Sequence, residues 1–62
     1  MNEIEDGIYA VNLLDKMFYR VDGDDIRISI DGGEWRKPVI ETTREIIKIY
    51  LDCGDVVRVG DL

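Results

Sequence analysis

Between Met17 and Val39 the chain alternates apolar and polar residues in short runs, interrupted by Asp22-Gly23-Asp24-Asp25 and Asp31-Gly32-Gly33-Glu34. Met17, Tyr19 and Val21 alternate with Phe18, Arg20 and Asp22, and Ile26, Ile28 and Ile30 alternate with Arg27 and Ser29. A period of two with glycine and aspartate between the runs predicts half-buried strands joined by tight turns. With Gly23 and Asp24 at the tip, Asp22 faces Asp25, and Val21, Tyr19 and Met17 come opposite Ile26, Ile28 and Ile30. All six of Met17, Tyr19, Val21, Ile26, Ile28 and Ile30 are apolar or aromatic, and a slip of one residue would turn the set to solvent.

The second turn carries the chain into Trp35-Val39, where the same logic sets Trp35 across from Ile30 and Val39 across from Ile26. Lys37 is then the one misfit on the buried side, with its ammonium reaching past an edge to water. Pro38 lacks the N–H of a central strand, so this fourth run belongs at a sheet edge. Before the hairpin, Gly7 opens a strand over Ile8–Leu14. One phase turns Tyr9, Val11 and Leu13 to the core; the other buries Ile8, Ala10 and Leu14 together with polar Asn12, at greater cost.

The period changes at Thr42-Thr43-Arg44-Glu45, which reads as a helix start with Thr42 and Glu45 as a capping box. Ile46, Ile47, Tyr50 and Leu51 form an apolar stripe bordered by Ile49 and Cys53, while Arg44, Lys48 and Asp52 line the other side. Gly54 stops the helix, and Val56–Val59 forms a last strand. The expected fold is α+β: a small antiparallel sheet, as a four-strand meander or partly open barrel, followed by one helix and a terminal strand. Spatial strand order stays open. No linker or repeat divides the chain, so residues 1–62 are expected to form a single domain with residues 1–6 loosely held.

Length limits what this pattern can achieve. A chain of 62 residues buries only about 60% of its unfolded surface, and small scaffolds commonly add disulfides, a metal or a partner. Cys53 is the sole cysteine and histidine is absent, which raises the expectation of a partner chain or a homo-oligomer. Cysteine poverty, the lack of a long apolar run and the acidic start at Met1–Asp6 fit a cytoplasmic protein without a membrane span. The net charge of −6 repels phosphate and anionic lipid.

Chemistry of the usual kinds finds little purchase. Nucleophilic and general-base catalysis needs a paired group, and there is no histidine to serve. Cys53 at a helix C-terminus faces a macrodipole that disfavours thiolate and reads as a small packed hydrophobe. Asp-Gly-Asp-Asp lacks the spacing of a calcium loop, and Gly32-Gly33 has neither the third glycine nor the lysine of a phosphate cradle. The expectation is no enzyme, no cofactor and no metal.

Two surfaces remain. The hairpin register places Phe18, Arg20, Arg27, Ser29 and Arg36 on one sheet face, with Arg20 opposite Arg27. Paired like charges call for neutralisation by Asp22, Asp25, Asp31 and Glu34 or by an outside anion. A solvated, self-compensating face ranks first; an arginine and aromatic hot spot for a protein, or a stacking platform for single-stranded nucleic acid, ranks behind it. Trp35 is expected in the core against Ile30 and the helix, as are Tyr9 and Tyr50 with wet hydroxyls. The acidic turns at Asp22, Asp24, Asp25, Asp31 and Glu34 form the second surface.

The leading expectation is a non-enzymatic inhibitor or modulator that docks these carboxylates on a basic, nucleic-acid-handling protein, a profile shared with small phage and mobile-element proteins. Weak binding of single-stranded nucleic acid and a structural role in a homo-oligomer paired through Val56, Val57 and Val59 are the alternatives.

Overall fold

The computed structural model describes residues 4–62. Its elements are β1 (Gly7–Val11), β2 (Met17–Asp22), β3 (Asp25–Ile30), α1 (Arg44–Cys53) and β4 (Val56–Gly60). They form an open four-stranded antiparallel sheet in the order β3-β2-β1-β4 with one helix, an α+β domain. The first three strands meander, and the terminal strand returns to pair with β1 on the side away from β2.

The hairpin follows the alternation. Met17 pairs with Ile30, Tyr19 with Ile28, Val21 with Ile26 and Asp22 with Asp25. Gly23 takes φ 60 at the first central position, a conformation glycine adopts without penalty and one that matches the twist of the flanking strands. In β1 the phase is set by Tyr9, which is buried, but the strand ends at Val11 and Leu13 is exposed. Asn12 ends it, donating its backbone N–H to the Asp55 carbonyl and its side-chain amide to the Gly54 carbonyl.

The Trp35–Val39 run departs from the expected register and makes a single bridge, between Arg36 and Ile28. The turn tip explains the shift. It falls at Asp31 and Gly32, both left-handed with φ 57 and 75, closed by the Gly33 N–H on the Ile30 carbonyl. One further residue is taken up before Arg36, and the Ser29 hydroxyl caps the Gly33 carbonyl at 2.8 Å. Alternation therefore sets Trp35 and Ile30 on opposite faces, and both are more than one-third exposed.

One sheet face meets α1. Ile4, Tyr9, Tyr19, Val21, Ile26, Ile28, Ile47 and Val56 form the buried core, with Met17, Tyr50 and Leu51 packed against it. Tyr9 keeps its hydroxyl satisfied by donating to the Glu5 carbonyl at 2.6 Å. The rings of Tyr19 and Tyr50 sit 6.4 Å apart and tilted, a favourable aromatic arrangement.

The helix cap lies one residue beyond the expected box. Thr43 is the N-cap, accepting from the Ile46 N–H at 3.3 Å, while Thr42 donates its hydroxyl to the Ile40 carbonyl. With isoleucine rather than glutamate three residues after the cap, no reciprocal bond forms. Gly54 ends the helix at φ 84, and the Gly54 and Asp55 N–H groups close back on Leu51 and Tyr50 in a Schellman arrangement. Cys53 is exposed rather than packed, because it falls at the border of the apolar stripe where the helix leaves the sheet.

The expectation of a loose amino terminus lies outside the described residues for positions 1–3. From Ile4 onward the segment is fastened. Arg44, the first residue of α1, donates to the Asp6 carboxylate at 2.6 Å, to the Gly23 carbonyl at 2.7 Å and to the Ile4 carbonyl. Asp6 in turn accepts from the Gly23 N–H at 3.1 Å.

Candidate protein-docking surfaces

The face away from α1 is laid out in rows by the ladder. Ser29, Phe18, Ala10 and Val57 are consecutive cross-strand neighbours, and so are Arg27, Arg20 and Ile8. Arg20 and Arg27 do stand opposite each other, as the sequence requires. Each has a carboxylate two residues along its own strand: Arg27 bonds Asp25 at 2.9 Å and Arg20 approaches Asp22 at 3.6 Å. Since alternate residues share a face, Asp22 and Asp25 form a third row beside the guanidiniums. The face thus neutralises itself internally.

Arg36 does not join this group. Its pairing with Ile28 places it on the core side of the sheet, where it lines a depression of about 320 Å³ with Met17, Ile28, Ile30 and Tyr50. The register slip that moved Arg36 also brings Trp35 to the Phe18 side by alternation. Trp35 is therefore a surface aromatic near Ser29, a placement the alternation alone did not predict.

The acidic turns divide between the two ends of β3. Asp22, Asp24 and Asp25 belong to the β2–β3 tip, and Asp31 and Glu34 to the exit from β3. All are exposed. At the tip, Asp24 and Asp25 share a hollow of about 360 Å³ with Lys37, Pro38, Val39, Glu41 and Thr42. Three carboxylates against one ammonium make it anionic, and Val39 beside it is completely exposed, with Ile40 nearly so. Val39, which alternation sets on the buried side opposite Ile26, is instead fully exposed, because pairing of this run is confined to Arg36. Glu41 and Ile40 carry no signal in the sequence, because they lie in a stretch without periodicity.

The Asp6–Arg44 network behind the tip holds it in place. Arg44, by hydrogen bonding, keeps the Asp6 carboxyl below its ordinary value, aided by the Gly23 N–H. Burial pushes Tyr9 and Tyr19 upward. At the far corner of the sheet Arg58 donates to the Asp6 carbonyl at 2.9 Å and to Asp61 at 2.6 Å, and Asp61 raises its already high pKa. Among the described residues no group of three or more Cys, Asp or Glu is arranged to hold a metal ion, and no helix is long and apolar enough to cross a membrane.

Fold and surface together define a small α+β domain with a self-neutralised sheet face and an anionic, apolar-edged hairpin end. No protein-family model, curated protein or solved structure matches the chain.

Proposed function

We propose that this chain is a non-enzymatic protein-binding domain, an inhibitor or modulator that docks its hairpin end on a basic surface of a nucleic-acid-handling protein. The observation that carries this reading is the meeting of Asp24, Asp25 and Glu41 with exposed Val39 and Ile40 at one end of the molecule. Carboxylates steer and orient a cationic partner, while the aliphatic side chains supply the desolvated contact that charge alone does not give. Lysine and arginine on the partner offer both an ionic head and an apolar stem to such a surface. The network of Arg44 with Asp6 and Gly23 supports the reading further, since a rigid tip loses less freedom on binding.

Asp31 and Glu34 at the other end of β3 make a continuous imitation of a phosphate track unnecessary to the idea. The domain acts as a point anchor. Internal pairing of Arg20 with Asp22 and of Arg27 with Asp25 weighs against the nucleic-acid alternative.

The test is affinity capture from a native lysate at low and high salt, run in parallel with Asp24→Asn/Asp25→Asn/Glu41→Gln and with Asp31→Asn/Glu34→Gln. A basic protein retained by the wild type and by the second variant, but lost with the first and at high salt, is the expected result. Retention that ignores the hairpin-end carboxylates would refute the assignment.

A further inference from the structure

The two outer strands of the sheet are not equally protected. β3 is covered along its second half, where the Ile28 N–H and C=O exchange bonds with Arg36 and the Ile30 carbonyl accepts from Gly33. β4 carries nothing on its outer edge among the described residues.

The register says which groups that edge presents. Asn12 donates to the Asp55 carbonyl, and Ala10 pairs with Val57 and Val11 with Val56. The Asp55 carbonyl and the backbone groups of Val57 therefore face β1, and the alternation of an antiparallel ladder turns the N–H and C=O of Val56 and Arg58 outward. The devices that usually blunt an edge are scarce here. There is no lysine or proline in Val56–Gly60, and the Arg58 guanidinium is folded back over Gly7 toward Asp6 and Asp61. The irregularity between Ile8 and Tyr9 affects only the last part of the strand.

We propose that this edge pairs with β4 of a second copy of the chain, antiparallel about a two-fold axis at Val57. The register follows from exclusion. A strand that directs Val56 and Arg58 outward pairs with itself by bonding Val56 to Arg58 of the second copy and Arg58 to Val56 of the second copy. Val57 then meets Val57 of the second copy in the close, non-bonded position. Centring on Arg58 would set like charges directly opposite. Centring on Val56 would carry the pairing back into Gly54 and the helix cap. At the favoured axis, Val57 is apolar and 45% exposed, and the row Phe18, Ala10, Val57 continues across the axis into its own mirror set.

The occupant is the chain itself because a two-fold pairing satisfies both edges at once with one sequence, and it enlarges the buried surface that a chain this short lacks. A single ladder with valine flanks stays below the roughly 1,200 Å² of a standard interface. The dimer is accordingly weak and concentration-dependent. Each copy carries −6, so screening salt strengthens it, the opposite of the salt response at the hairpin end.

Sedimentation equilibrium from micromolar to millimolar concentration, at low and high salt, tests the pairing. The wild type is expected to pass from monomer to dimer, more readily at high salt. Val57→Lys should weaken self-association at least about tenfold by placing like charges at the axis, with an unchanged circular dichroism spectrum. In a Cys53→Ser background, Val57→Cys should cross-link under mild oxidation faster than Val59→Cys, because only position 57 meets itself within disulfide reach. A wild type that remains monomeric throughout overturns the proposal, as does a Val57→Lys variant that dimerises normally or equal cross-linking at positions 57 and 59. None of these results bears on the hairpin-end surface, which the β2–β3 turn and the loop through Val39 and Glu41 carry.

Discussion

Arg44 and Asp6 form a 2.6 Å ion pair across 38 residues of sequence, and the same guanidinium reaches the carbonyls of Gly23 and Ile4. One side chain thereby ties the start of the helix to the hairpin tip and to the segment entering β1. Arginine suits this position because its planar fork supplies several fixed donors, which an ammonium does not.

Replacing Arg44 by methionine keeps the stem and removes the donors. Removing the donors leaves the Gly23 and Ile4 carbonyls and the Asp6 carboxylate without this partner, so a loss of stability is expected, read as a lower urea midpoint with an unchanged slope. Arg44→Lys should recover only part of it. Full recovery by lysine would show that charge, and not the fork, makes the connection.

Asp6 gives the domain a specific acid response. Its folded pKa is lowered, first by the hydrogen bond from Arg44 and then by that from Gly23. A depressed carboxylate stabilises the fold fully above its unfolded value of about 3.9, and that contribution disappears as pH falls through the lower folded value. The stability difference between wild type and Asp6→Asn should therefore be constant near neutrality and shrink toward zero in strong acid. Thermal melts of both proteins from pH 7 to pH 2 measure this directly; a difference that grew on acidification would contradict the ion pair.

Gly7 predicts a sharp steric response at the other end of β1. It adopts φ 150, and a Cβ there would lie 2.5 Å from the Gly60 carbonyl oxygen and 2.8 Å from Arg58 Nε. Gly7→Ala should cost about 1–3 kcal/mol in backbone strain alone, with further loss as β4 is pushed away. Hydrogen exchange should show faster opening of the β1–β4 ladder than of β2–β3. Uniform weakening across the sheet would mean that the contact is relieved elsewhere.

What the sequence made legible follows the range of the interactions. The β2–β3 register could be read because two short alternating runs meet across a turn, so local chemistry decides it. The next turn sets a register one position away from the one alternation predicts because Asp31 and Gly32 both take the left-handed conformation, and that shift moves both Trp35 and Arg36. The pairing of β1 with β4 and the reach of Arg44 to Asp6 join distant parts of the chain, and no periodicity encodes them. Glu41 and Ile40 reach the hairpin end by the course of a loop, for which sequence offers only turn chemistry. Val39 goes with them instead of pairing with Ile26, because the expected strand stops at the single Arg36 bridge.

The helix should separate core from surface within a single turn. Ile47 has no exposed surface, whereas Ile49 is 57% exposed. Ile47→Ala is expected to cost about 2–5 kcal/mol, a large share of the total stability of so small a domain. Ile49→Ala should fall within about 0.5 kcal/mol of wild type. Urea denaturation of the pair checks the seating of α1, and equal losses would require the helix to be rotated on the sheet.

The self-neutralised face makes a prediction about nucleic acid that separates it from an arginine platform. Arg20 and Arg27 stand side by side with Asp22 and Asp25 next to them in the same plane. A phosphate approaching the guanidiniums meets those carboxylates as well, and the rest of the chain repels it. Fluorescence anisotropy with a labelled single-stranded oligonucleotide should thus show no binding by the wild type at physiological salt. Asp22→Asn/Asp25→Asn removes the local opposition while leaving Phe18 and both arginines in place. Binding should then emerge, with log affinity falling against log salt by about 0.7 for each phosphate neutralised on a single strand. Tight binding by the wild type, abolished by Arg20→Ala/Arg27→Ala, would instead establish the face as a nucleic-acid site, because only guanidiniums free to leave their carboxylates could produce it.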